Sequence, residues 1–174
     1  MSVLEQETDM LSLVELSNTA SIPNCDEWTA ADKYEKFVAF FLGNGIYCIS
    51  SRSVCEVVHP LRVAPLPNAP SYISGIAAFR GEVVAVIDIK KVLGLESSDA
   101  AGKAKLVILQ SKIKDTQFAI PVDSMHELIS ISPDFLVADQ ISSDGMTCIV
   151  EHEGKTFRLI ETDVLFEMLE HNIG

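Results

Sequence analysis

A ten-residue pattern recurs 71 positions further along the chain, and this recurrence restricts the fold more than any other feature. Tyr47-Cys-Ile-Ser-Ser-Arg-Ser-Val-Cys-Glu56 lines up with Phe118-Ala-Ile-Pro-Val-Asp-Ser-Met-His-Glu127 at aromatic, aliphatic, serine and glutamate positions. Glu82-Val-Val-Ala-Val-Ile-Asp88 lines up with Lys155-Thr-Phe-Arg-Leu-Ile-Glu161 at an offset of 73, and Val92-Leu93 then meets Leu165-Phe166. Each copy reads as strand, turn, strand, bend, long loop, hairpin and helix. Five short strands bury little by themselves, so the two halves are expected to share a hydrophobic seam. The expected fold is therefore all-β with short helices: two pseudo-symmetric five-stranded barrels or curled sheets around a common core. The expected division is an acidic extension over residues 1–35, a first barrel over about 36–95, and a second over about 104–160. A C-terminal helix over about 161–171 closes the chain.

The first copy supports this reading residue by residue. Phe37–Leu42 and Ile46–Ile49 are apolar strands around Gly43-Asn44-Gly45, where an Asn-Gly pair with positive φ at both central positions suits a tight hairpin. Ser50–Val58 has helical or bent-strand spacing. His59-Pro60 ends it, and Pro65, Pro67 and Pro70 mark an extended loop. Two β-rich runs then flank Arg80-Gly81. Asp88 opens a short helix that Gly94 stops. Val83–Ile87 does not alternate, so both of its faces are expected to be covered, by core, by the other half or by another protein.

Charge excludes several functions. The net charge is −12, with no basic footprint to neutralise phosphates or meet an anionic membrane surface. Residues 1–35 hold eight acids and one base, so the remainder of the chain is close to balanced. Within that extension Met10, Leu11, Leu13, Val14 and Leu16 could form one apolar helix face; a short docking helix anchored by Trp28 competes with a disordered leader. The chain begins without the basic n-region of a signal peptide and has no run of 18 apolar residues, so a cytoplasmic location is the expectation. Cys25, Cys48, Cys55 and Cys148 have no CxxC spacing, and His59, His126, His152 and His171 are scattered. Free thiols and no metal site are expected.

No catalytic constellation emerges. Gly43-Asn44-Gly45 is too short for a phosphate cradle and precedes a strand. Cys55 with His59 is conceivable as a dyad, but its surroundings are aliphatic and acidic, which disfavours a thiolate. What remains is Glu56, Arg80 and Asp88. Glu56 stands alone in Val54-Cys-Glu-Val-Val58, and a partly buried carboxylate is normally paired. Arg80 is the only cation between Arg62 and Lys90. Either it bridges Glu56 internally or it contacts a partner; a guanidinium with five donors can do both.

The run Pro67-Asn-Ala-Pro70-Ser-Tyr-Ile-Ser-Gly75-Ile-Ala-Ala-Phe-Arg80-Gly81-Glu-Val-Val-Ala-Val-Ile-Asp88 resembles the signature of CheW-like domains, the coupling modules of bacterial chemosensory arrays. Val54-Cys-Glu56-Val57 resembles the family's earlier motif, Phe118-Ala-Ile-Pro-Val-Asp123 its second-half motif, and Ile160–Leu169 its closing helix. The resemblance covers about 36–171. It implies two five-stranded SH3-like barrels and a non-catalytic adaptor without cofactors. The implied partners are the regulatory domain of a CheA-type histidine kinase and the cytoplasmic tip of a chemoreceptor, held in the groove between barrels. It also implies recruitment to membrane-associated arrays; with no receiver-domain sequence following Gly174, a chain without a receiver fusion is the expectation. Partner-binding roles fall on Arg80, Gly81, Glu56, Val54, Val57 and Phe79. Ala78, Ala85 and Ala119 depart from the usual Asn, Pro and Gly. A divergent paralogue binding only one partner, in pilus motility or another non-flagellar pathway, is the alternative.

Overall fold

The computed structural model describes residues 34–96, 103–111, 115–132 and 147–171. The acidic extension before Tyr34, on which the expected helix face of Met10, Leu11, Leu13, Val14 and Leu16 and the Trp28 anchor fall, lies outside them, as does Cys25. Among the described residues, eleven strands form two sheets. The first half supplies β1 (Glu35–Leu42), β2 (Gly45–Ser50), β3 (Val54–Val58), β4 (Val63–Ala64), β5 (Ile73–Phe79) and β6 (Glu82–Ile87). The second supplies β7 (Lys105–Gln110), β8 (Gln117–Val122), β9 (Ser124–Ile131), β10 (Thr147–His152) and β11 (Lys155–Ile160). Helix α1 (Ile89–Val92) follows β6 and helix α2 (Thr162–His171) follows β11. The mostly-β expectation with a C-terminal helix holds.

The sheets are not the two sequence halves. One sheet runs β10-β11-β2-β1-β9 and the other β3-β7-β8-β6-β5-β4. Each half lends its opening hairpin to the other half's sheet, so the strands of 36–95 and of 104–160 are divided between both. The repeat explains how. Ala85 pairs with Phe118 and Val86 with Ala119 in the parallel β6–β8 ladder. Applying the offsets 73 and 71 turns these pairs into Arg158–Tyr47 and Leu159–Cys48, both present in the parallel β11–β2 ladder. The antiparallel ladders correspond too: Val54–Leu109, Val57–Val107 and Val58–Leu106 on one side match Met125–Phe40, Leu128–Val38 and Ile129–Phe37 on the other. Each ladder carries a register shift at the same place, between Val54 and Glu56 and between Val38 and Phe40. A pseudo-two-fold exchange of hairpins is thus written into the register.

The core has three parts. Phe37, Ala39, Cys48, Ile129, Val150 and Phe157 fill one sheet's own core; Ala77, Phe79, Val84, Val86, Leu106 and Ile108 fill the other's. Between them lies a larger cluster from both halves, including Phe40, Ile49, Ile87, Leu109, Ile120 and Leu165, with Phe118 edge-on to Phe166 at 4.3 Å. Strand β1 serves two clusters because it alternates and both of its faces are buried: Phe37 and Ala39 face one, Phe40 and Leu42 the other. Both faces of β6 are covered from Val84 to Ile87, as the missing alternation suggested, but Val83 is 70% exposed.

Local chemistry sets the boundaries. Asp88 caps α1 by accepting from the Lys90 amide at 3.2 Å. At its end the Gly94 amide reaches the Lys91 carbonyl and the Leu95 amide the Lys90 carbonyl, a Schellman closure with Gly94 at φ 67. The β1–β2 turn differs from expectation. Its central residues are Gly43 and Asn44, and only Gly43 (φ 58) is left-handed; the Asp123 carboxylate accepts the Gly43 amide at 2.6 Å. The other oxygen of Asp123 takes the buried Lys90 ammonium at 2.6 Å. This satisfied charge pair ties α1 of the first half to the β8–β9 corner of the second.

A second carboxylate, Glu161, sits between β11 and α2. Burial, then the nearby Glu35 and Asp163, push the Glu161 carboxyl above its ordinary value. Folding therefore takes up a proton between the ordinary value of 4.5 and the raised one, and Glu161's contribution to stability falls as pH rises through that window. Glu161→Gln should raise Tm at pH 7 by about 2–4 °C, the shift of ~1 kcal/mol in a chain of this size. The gain should shrink towards pH 4; a pH-independent gain in calorimetry would refute this origin.

Candidate partner-docking groove

The structure brings Arg80 and Glu56 together. The β5–β6 hairpin turns on Arg80 (φ 50) and Gly81 (φ 83), positive at both central positions as a type I′ turn requires. Arginine in this conformation costs about 1–2 kcal/mol, a strain of the kind that collects at functional sites. From there the guanidinium lies 2.5 Å from Glu56 and 5.4 Å above the ring of Phe79. The arginine side chain is 68% exposed, so its pair with Glu56 contributes about 0–1 kcal/mol to stability. Its outward donors are open to solvent. The other expected site residues divide by burial. Phe79 and Val54 are buried and support the hairpin and the β3 strand, whereas Val57 is 36% exposed. Gly81 has open space where a side chain would stand.

Strands β3 and β9 are edges, one of each sheet, and together they bound a groove of about 500 Å³. Val54–Val57 line one wall and Met125–Leu128 the other, with Val38, Ser51 and Lys105 completing it. The walls are equivalent positions of the repeat: Glu56 answers Glu127, and Val57 answers Leu128, each 36% exposed. Bulges and charges on both edges discourage strand addition by another chain. On the second wall His126 stacks on Phe41 at 5.1 Å and contacts Glu127 at 3.2 Å, and Glu127 pairs with Lys155 at 3.4 Å. This wall was missed in the sequence, although the offset of 71 aligns Glu56 with Glu127 directly.

Cys55 and His126 both line the groove, but among the described residues no hydrogen bond joins a cysteine to a histidine there. The Cys55 thiol is raised by burial; Arg80 lowers it and Glu56 raises it again. Its polar contacts are Gln110 at 3.4 Å and Gln117 at 3.8 Å, not His59. Burial also pushes the Cys48 thiol up. Among the described residues no group of three or more His, Cys, Asp or Glu side chains is placed to hold a metal, and no helix is long and apolar enough to cross a membrane. The groove offers apolar anchors flanked by ion pairs, the chemistry of protein recognition.

Comparison with known proteins gives a consistent set. The CheW-like domain model matches residues 36–170. Chemotaxis protein CheW of Rhizobium meliloti (strain 1021) is 26% identical over 139 residues, covering 75% of this chain and 86% of its own length. Protein FrzA of Myxococcus xanthus is 30% identical over 74 residues, 42% of this chain and 46% of FrzA. The crystal structure of the scaffolding protein TtCheW from Thermoanaerobacter tengcongensis superposes with a TM-score of 0.69 at 25% identity, over 77% of this chain and 93% of that one.

Proposed function

This chain belongs to the CheW-like domain family of chemotaxis scaffold proteins, and we propose that it is a non-catalytic adaptor coupling chemoreceptors to a CheA-type histidine kinase. The groove between β3 and β9 would receive the cytoplasmic tip of a receptor coiled coil, and the sheet holding the Arg80-Gly81 hairpin would meet the kinase's regulatory domain. One observation carries this reading: an apolar groove between two sheet edges, each wall bearing an acid–cation pair. Exposed Val57 and Leu128 supply the anchors and Arg80 the outward cation. Recruitment to membrane-associated arrays would come through the receptor.

Mixing the purified chain with a receptor-tip fragment and the kinase regulatory domain should yield one ternary complex in size-exclusion chromatography. Binary complexes alone would refute coupling. They would favour the single-partner alternative in a pilus-motility or other non-flagellar pathway.

A further inference from the structure

The two hairpins flanking the groove share a backbone but carry opposite charge order. Arg80 (φ 50) and Gly81 (φ 83) correspond to Glu153 (φ 49) and Gly154 (φ 74) in the β10–β11 hairpin. The charges are reversed between them: Arg80-Gly81-Glu82 in the first, Glu153-Gly154-Lys155 in the second. In each hairpin the cation neutralises the groove-wall glutamate, Arg80 from the turn and Lys155 from the first strand position after it. What differs is the side chain at the exposed turn corner: at residue 80 the arginine that pairs with Glu56 and keeps outward donors, at residue 153 a carboxylate.

The walls between these corners share their glutamate and its flanking aliphatic positions, Val-Cys-Glu-Val against Met-His-Glu-Leu, and differ in chemistry at Cys55 and His126. A pseudo-two-fold groove fits an occupant with its own two-fold relation, and an antiparallel pair of helices has one. Such an occupant would lie equally well in either direction if the rims matched. We propose that the opposite corner charges fix its direction: the helix facing Arg80 presents a carboxylate and the helix facing Glu153 a basic group. Reversal replaces two attractive contacts by two repulsive ones, the arrangement by which interfaces suppress a wrong register. Glu153 is thus a specificity-determining residue. This rests on the groove being the docking site.

The test uses the full chain, isotopically labelled, with a chemoreceptor tip hairpin carrying one nitroxide on its first helix. With the native chain, amide signals should be lost from one hairpin only, 79–83 or 152–156. Glu153→Arg with Lys155→Glu copies the first hairpin's charge order onto the second, whose backbone already suits it. Binding should persist and signal loss should appear at both hairpins. Glu153→Gln, which only removes the charge, should give partial loss at the second site. Two-sided loss with the native chain, or one-sided loss in a well-folded double variant, overturns the proposal. Absence of any binding by the native chain defeats the docking reading itself, and the direction with it.

Discussion

Gly75→Ala should destabilise the fold by about 2–4 kcal/mol, more than adding one methyl ordinarily costs, because backbone strain and overpacking act together. Gly75 sits at the register shift of β5, between Ile73 and its pairing with Val86, and has φ 148, a conformation that side chains rarely adopt. A β-carbon there would stand 2.2 Å from the Ala64 carbonyl oxygen, 2.9 Å from the Ala64 carbonyl carbon and 2.9 Å from Val63 Cγ1. Two of these atoms belong to backbone and cannot rotate away. All three belong to β4, a two-residue edge strand held by Val63–Ala77 and Ala64–Ile76. Its displacement is the cheapest relief, so hydrogen-exchange protection should be lost first across that ladder. Urea unfolding should show a lower midpoint; a change below about 0.5 kcal/mol, within surface-substitution noise, would sink the argument.

Much of this was legible in the chain because local and long-range signals agreed. The repeat offsets 71 and 73 recover the observed parallel pairs to the residue. Asp88 and Gly94 bound α1 as capping chemistry dictates. The exchange of hairpins was not legible. Strand propensity at Phe37–Leu42 or Lys105–Gln110 says nothing of which sheet receives the strand, since both faces of β7 are apolar and either half could cover them. The role of Asp123 was hidden for a similar reason: its partners Lys90 and Gly43 lie 33 and 80 positions away. The second wall was hidden differently. Motif resemblance drew attention to Glu56 and Arg80, and the cation answering Glu127 does not occupy the aligned position but stands two residues further on, at Lys155.

Arg80→Glu should weaken ternary assembly at least tenfold, a loss of about 1.4 kcal/mol or more, while the fold survives. Folding loses a pair whose arginine is exposed, and the new carboxylate at residue 80 stands in solvent, which screens it from Glu56. The buried Glu56 Oε2 loses its cation, which adds about 1–3 kcal/mol at most. Binding loses more: the outward donors of a 68% exposed guanidinium are replaced by acceptors of opposite charge. The swapped variant Glu56→Arg with Arg80→Glu separates the two readings of this pair. If the bridge alone matters, the swap restores assembly along with stability. We expect stability to recover and assembly to stay weak, because the cation would then stand on the groove wall rather than at the turn corner. Native-like ternary assembly by Arg80→Glu, measured by size exclusion at fixed concentration, would remove Arg80 from the interface altogether.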